Sequence, residues 1–186
     1  MADVRVIPES FTLVKFDIDR IKELASTLAA QVGLPADSVI EIAINERTPE
    51  MAATVESIDP IRLAIEGGAL EEPTVPRTLS DRLSADVIGR LLLRVTDRRG
   101  PGFAETPADS ELDLPHQTAW DTYSVGRLHR LGYDIQKQRR LYHFRNRHGF
   151  SDVADVVFER LWTAEGLSWA DIEAACEETA SSKAGV

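Results

Sequence analysis

Apolar residues follow one spacing before a proline-containing segment, residues 71–78, and a different spacing after it. This difference limits the possible folds more than any other feature of the sequence. Pro73 and Pro76 exclude regular structure there, because proline lacks a backbone N–H and has a fixed φ. Before this segment apolar residues alternate as in strands, and after it they recur every three or four residues as in helices. The pattern predicts an α+β fold with a small N-terminal β-sheet and one helix in residues 1–70, followed by a mainly helical part, residues 79–180.

The predicted strands are short runs rich in β-branched and aromatic residues. Pro8 and Pro60 act as breaks, because proline cannot donate to a strand ladder. Alternation places Ile40, Ile42 and Ile44 on one face of a strand. The predicted strands are residues 4–7, residues 11–16, residues 39–44 and two within residues 54–65.

One helix is predicted between these strands. Asp17 or Asp19 can cap its first turn, and Gly33 is suited to end it. Its apolar positions recur at helical spacing, which predicts one buried face. These positions are Ile21, Leu24, Leu28 and Val32.

The helical part is divided by its capping residues and glycines. Ser80 or Asp81 can begin a helix that stops before Gly100. A polar loop, residues 106–115, separates it from the later helices. These are a helical stretch at residues 116–147, interrupted by Gly126 and Gly132, and two last helices at residues 152–162 and residues 168–179.

A single domain, residues 1–180, is expected from the length of 186 residues. The sheet-containing part has about 70 residues and few aromatic side chains, and a part of that size needs outside cover to be stable. The small and polar composition of residues 181–186 predicts a disordered tail.

Composition indicates a soluble, cytoplasmic protein. The net charge is −10, and no apolar run approaches the roughly 18 residues that span a bilayer. A lone cysteine, Cys176, cannot form an internal disulfide, which suits a reducing compartment. Lysine is rare relative to arginine, which is typical of bacterial genomes with a high GC content.

The charge is concentrated unevenly along the chain. Residues 120–150 contain seven Lys or Arg against two acids, a net charge of +5, whereas the remainder of the chain is at −15. On a helix Arg139, His143 and Arg147 recur every four residues and share an exposed face. A buried stripe on the opposite side is predicted to hold Leu128, Leu131, Ile135 and Tyr142.

This basic segment, residues 127–148, is the candidate binding site. We expect it to contact a protein partner or a second copy of the chain, because strong charge segregation orients one surface against another. The alternative is a phosphate-ligand or RNA-binding module, in which Tyr142 or Phe144 stacks on bases. In either case the predicted anion- or partner-binding residues are Arg139, Arg140, His143, Arg145 and Arg147.

A DNA-reading helix pair is disfavoured at the C-terminus. The last two predicted helices have the order of a helix-turn-helix motif, but the second of them has four acids that would repel phosphates. A structural helical hairpin is the better interpretation.

Catalytic motifs are not evident in the sequence. It has no paired cysteines, no His-Glu-x-x-His pattern, no nucleophile elbow and no glycine-rich phosphate loop, so we expect no metal or cofactor and no enzymatic activity. Acidic neighbours should raise the pKa of Cys176 and make it a poor nucleophile. A third hypothesis keeps an enzyme with a cleft site between the two halves, around His116, His129 and His143.

Overall fold

One four-stranded sheet organises the N-terminal part of the chain. The computed structural model describes residues 1–184. Three strands of the sheet are parallel, and the last pairs antiparallel to its neighbour. The strands are β1 (Asp3–Ile7), β2 (Val39–Asn45), β3 (Ala53–Ile58) and β4 (Ile61–Glu66), in the spatial order β1-β2-β4-β3.

Helix α1 (Ile18–Gln31) connects the parallel strands β1 and β2 and begins where the sequence predicts. The Asp17 carboxylate accepts a hydrogen bond from the backbone N–H of Arg20 at 3.0 Å, which satisfies a donor that the first helical turn leaves open. Gly33 follows the helix with a positive φ of 82°. The apolar face of the helix is buried, with Ile21, Leu24 and Leu28 among its members.

Residues 11–16 do not form the predicted strand. The Glu46 carboxylate accepts hydrogen bonds from the backbone N–H groups of Thr12 at 2.9 Å and Leu13 at 2.6 Å, so a side chain replaces a strand neighbour as acceptor. Only Lys15 makes an isolated bridge, to Thr78. The run of β-branched and aromatic residues therefore predicted the wrong local structure.

Helix α2 (Asp81–Arg99) packs against α1 and β3 and belongs with the sheet. Its bounds agree with the predicted start at Asp81 and stop before Gly100. Residues Met1–Arg99 form one compact unit, and a second unit begins at Gly100. The proline-containing segment thus lies within the first unit, and the single-domain expectation stays a prediction.

The second unit is helical. Its helices are α3 (Leu114–Arg130), α4 (Lys137–His148), α5 (Asp152–Thr163) and α6 (Trp169–Ala184), and α3 packs against the other three. Short 3-10 turns lie at Gly67–Ala69 in the first unit and at Pro101–Phe103 and Asp109–Glu111 in the second. The predicted α+β class, with a small N-terminal sheet and a mainly helical C-terminal half, is confirmed.

The glycines and the C-terminus of this unit differ in part from expectation. Gly126 lies inside α3 and does not interrupt it, whereas Gly132, with a φ of 94°, follows its end as predicted. Residues 181–184, expected in the tail, belong to α6, and residues 185–186 lie outside the described residues. No described helix has the length and apolar character needed to cross a membrane.

Candidate protein-interaction surface

Helix α4 contains no acidic residue, and one side of it is exposed. At 3.6 residues per turn, positions three, four, seven and eight apart fall on one side of a helix. The predicted exposure of Arg139, His143 and Arg147 is confirmed. We define the α4 face as the exposed residues of this side together with the exposed ring that follows the helix: Arg139, Tyr142, His143, Asn146, Arg147 and Phe150.

The opposite side of α4 is anchored in the core. Phe144 is fully buried, stacks on His148 with a centroid distance of 4.0 Å, and meets Phe158 of α5 edge to face at 5.6 Å. Each of these rings removes a large apolar area from water. Packing of these rings in the core therefore fixes the position of α4, whose other side carries the α4 face. Phe144 is consequently excluded from the stacking role that the RNA alternative allowed it.

The predicted buried stripe is only half correct. Leu128 and Ile135 are buried, but Leu131 is 42% exposed and Tyr142 is 58% exposed. Helix α3 ends at Arg130 and α4 begins at Lys137, so positions before and after Gly132 do not share one helical face. The prediction failed because helical spacing was applied across the end of a helix.

Arg145 and Lys137 of α4 pair with acids of α5. The Arg145 guanidinium holds Asp155 through two hydrogen bonds, of 2.7 Å from Nε to Oδ1 and 2.5 Å from Nη2 to Oδ2. The Lys137 Nζ atom lies 2.7 Å from Oε2 of Glu159. The hydrogen bonds from Arg145 lower the pKa of Asp155, which keeps that carboxylate ionised.

The five predicted binding residues therefore have different environments. Arg139, His143 and Arg147 lie on the exposed side of α4. Arg140 is half-buried, and Arg145 is engaged with Asp155. The structure thus places three of the five on the α4 face.

An exposed aromatic pair completes the α4 face. The rings of Tyr142 and Phe150 meet edge to face, with a centroid distance of 6.0 Å and an interplanar angle of 69°. Phe150 is 66% exposed, and Gly149, with a φ of 103°, turns the chain after the helix. Sequence reasoning missed Phe150, although an aromatic residue directly after a helix-ending glycine is a visible signal.

His148 belongs to the core and not to the surface. Its Nε2 atom donates to the carbonyl of Pro115 at 3.1 Å, and its Nδ1 atom lies 2.8 Å from Oγ1 of Thr179. This buried side chain ties α4 to the start of α3 and to α6. Its position in the sequence did not indicate this buried role, because its hydrogen-bonding partners are far away along the chain.

The three histidines of the enzyme hypothesis lie in separate environments. His116 and His129 are thirteen residues apart on α3, which is about 20 Å along a helix. The Nδ1 atom of His116 lies 2.7 Å from Oδ1 of Asp113, whereas the ring of His129 contacts Trp162 with centroids 5.5 Å apart. Within residues 1–184 no three His, Cys, Asp or Glu side chains are grouped to hold a metal ion.

Cys176 is unsuited to nucleophilic catalysis. Burial, followed by the negative charges of Asp113, Glu173 and Glu177, raises the pKa of its thiol to about 12. The predicted direction is confirmed, but the largest cause is burial and not the acidic neighbours. Only the thiolate is strongly nucleophilic, so the thiol is inert near neutral pH.

Helix α6 presents an acidic exposed side. Asp171 accepts a hydrogen bond from Ser168 at its start, and Glu178 pairs with Arg160 of α5 at 2.6 Å. Glu173 and Glu177 are exposed and lie one turn apart. We define the α6 face as these two glutamates with the exposed small residues between and beside them: Ala170, Glu173, Ala174, Glu177 and Ser181.

Helix α2 contains a second charged feature that sequence reasoning missed. Four charged side chains recur at helical spacing on one side of it and are buried: Asp86, Arg90, Arg94 and Asp97. Buried charges are costly unless they are paired, so such positions are held by specific contacts. Their spacing of four, four and three residues along one helix was the available signal.

The chain matches no protein-family model, no curated protein and no solved structure.

Proposed function

We propose that this chain is a non-enzymatic, cytoplasmic protein-interaction module that binds an acidic surface of a protein partner through the α4 face. The buried single cysteine suits the reducing compartment that this assignment requires. The proposal rests mainly on the exposed Tyr142–Phe150 pair, which lies on the same side of α4 as the two arginines.

The residue types of the α4 face favour a protein partner. Tyr, Phe and Arg are enriched in the contact regions of protein interfaces, where rigid rings fill pockets and guanidinium groups reach carboxylates. The rings of Tyr142 and Phe150 are already in contact, so binding orders few additional groups. A face with two arginines and two aromatic rings is suited to an acidic, partly apolar surface.

The charge distribution disfavours nucleic acid as the principal ligand. Nonspecific binding to nucleic acid depends on many phosphate contacts made by lysine and arginine. Lys137 and Arg145 are engaged by Glu159 and Asp155, which reduces the positive charge that α4 can offer to phosphates. The nearby α5 and α6 helices contribute acids that repel a phosphate backbone.

Fluorescence anisotropy tests the proposal with a defined acidic probe. The probe is a labelled 20-residue peptide of glutamate with leucine at every fourth position, titrated at low salt with the full chain. We expect R139E/R147E and Y142A/F150A each to weaken binding about tenfold or more, because each removes one component of the face. The matched control is R47E/R62E, which makes the same charge change at exposed positions of the first unit and should bind like the wild type.

Two results would contradict the proposal. Equal peptide affinity for the wild type and R139E/R147E would show that the α4 face does not bind acidic surfaces. A 20-nucleotide RNA that binds more tightly than the peptide, with affinity falling steeply as salt rises, would replace the protein partner with nucleic acid.

A further inference from the structure

We infer that the acidic partner of the α4 face is a second copy of this chain, bound through its α6 face in a symmetric dimer. This inference rests on the proposed function and goes further by naming the partner. It requires that the two faces be complementary in charge, shape and apolar character.

The two faces are complementary in charge. Arg139 and Arg147 are eight residues apart, about 12 Å along α4, and Glu173 and Glu177 are four residues apart, about 6 Å along α6. Both pairs are exposed, and long arginine side chains can converge on two closer carboxylates. Opposite charges on two surfaces of one molecule favour association between copies.

The α4 face and the α6 face are also complementary in shape. Ala170 and Ala174 are exposed on α6 one turn apart, beside the two glutamates. Small side chains leave a shallow apolar surface against which the Tyr142–Phe150 pair can pack. The same acidic α6 helix that disfavours phosphate binding is therefore a suitable partner for the α4 face.

Two-fold symmetry uses both faces of each copy. In a symmetric dimer the α4 face of one copy contacts the α6 face of the other, and the reverse contact is made at the same time. Each arginine–glutamate contact then occurs twice. We expect the dimer to weaken as salt rises, because exposed ion pairs are screened.

Sedimentation velocity at low salt tests the inference with two charge-reversed chains. R139E/R147E makes both faces acidic, and E173R/E177R makes both faces basic. We expect the wild type to be a dimer and each variant alone to be a monomer. An equimolar mixture of the two variants should again form dimers, because every contact then joins opposite charges. Circular dichroism confirms that both variants remain helical.

The inference is overturned if the wild type is monomeric, if either folded variant alone still dimerises, or if the mixture stays monomeric. Its failure is distinguishable from that of the proposed function. A monomeric wild type that binds the acidic peptide through the α4 face overturns only the second-copy partner. Peptide binding that is unchanged in R139E/R147E overturns the proposed function itself.

Discussion

Gly126 of α3 lies directly against the backbone of Trp162 in α5. A Cβ atom at position 126 would be 2.1 Å from the Trp162 carbonyl oxygen, so the two helices approach as closely as they do because no side chain intervenes. One turn later the Arg130 guanidinium donates to that same oxygen at 2.6 Å and to the Ala164 carbonyl at 2.7 Å. These contacts hold the end of α5, the helix whose acids pair with Lys137 and Arg145.

The first prediction is that Gly126→Ala destabilises the protein by about 1–3 kcal/mol or more, because overpacking forces the two backbones apart. Chemical denaturation followed by circular dichroism measures the free energy of unfolding. Gly102→Ala is the matched control, since the nearest atom to its added Cβ is a side-chain atom, Cβ of Ser168, at 3.3 Å. Equal stability of the Gly126→Ala variant and the wild type would show that the close approach of α3 and α5 is not maintained in solution.

The second prediction concerns the buried imidazole of His148. His148→Leu should lower the free energy of unfolding by about 2–4 kcal/mol, because it removes the two hydrogen bonds that join the buried imidazole to the Pro115 carbonyl and the Thr179 hydroxyl. His143→Leu, the same change at an exposed position of α4, should alter stability by less than about 0.5 kcal/mol. Thermal or chemical unfolding of both variants checks the difference, and similar losses in the two would contradict it.

The third prediction is a pH dependence centred on Glu46. The backbone N–H of Leu13 and then those of Thr12 and Val14, with the Thr12 hydroxyl, hold the pKa of the Glu46 carboxyl below its ordinary value of 4.5. A carboxyl with a lowered pKa in the folded state stabilises that state above its unfolded pKa and loses this contribution as the pH falls through the folded pKa. Glu46→Gln should therefore be less stable than the wild type near pH 7, and the difference should shrink in acid.

Unfolding curves at pH 7 and pH 3 measure this difference. Glu56→Gln makes the same change at an exposed position of β3 and serves as the matched control. A constant difference between the Glu46→Gln variant and the wild type at both pH values would disprove the charge-dependent anchoring of residues 12–13.

The fourth prediction is that Cys176 reacts slowly in the folded protein. With a pKa of about 12, roughly one thiol in ten thousand is ionised at pH 8, and burial further limits access. A chromogenic disulfide reagent should modify the native protein at least a hundredfold more slowly than the protein unfolded in guanidinium. Comparable rates in the two states would contradict the burial of the thiol.

Local signals in the sequence determined the fold class and most element boundaries. The Asp17 cap, Gly33 and Gly132 act on neighbouring backbone groups, so their effects are visible from a few residues. The same holds for the exposed side of α4, because the positions of Arg139, His143 and Arg147 follow from helical spacing within one helix. These features depend on interactions between residues that lie within one or two helical turns of each other.

Tertiary structure decided the features that depend on distant partners. The Glu46 carboxylate binds the backbone of residues 12–13, where a strand was predicted, and Gly126 stays helical against Trp162. Helix α4 begins anew at Lys137, with Tyr142 on its exposed side beside Phe150. In each case the residue that decides the local structure lies many positions away in the sequence or beyond the end of a helix. The spacing of residues along the chain does not indicate such contacts. The contact between the exposed rings of Tyr142 and Phe150 is therefore a property of the folded chain.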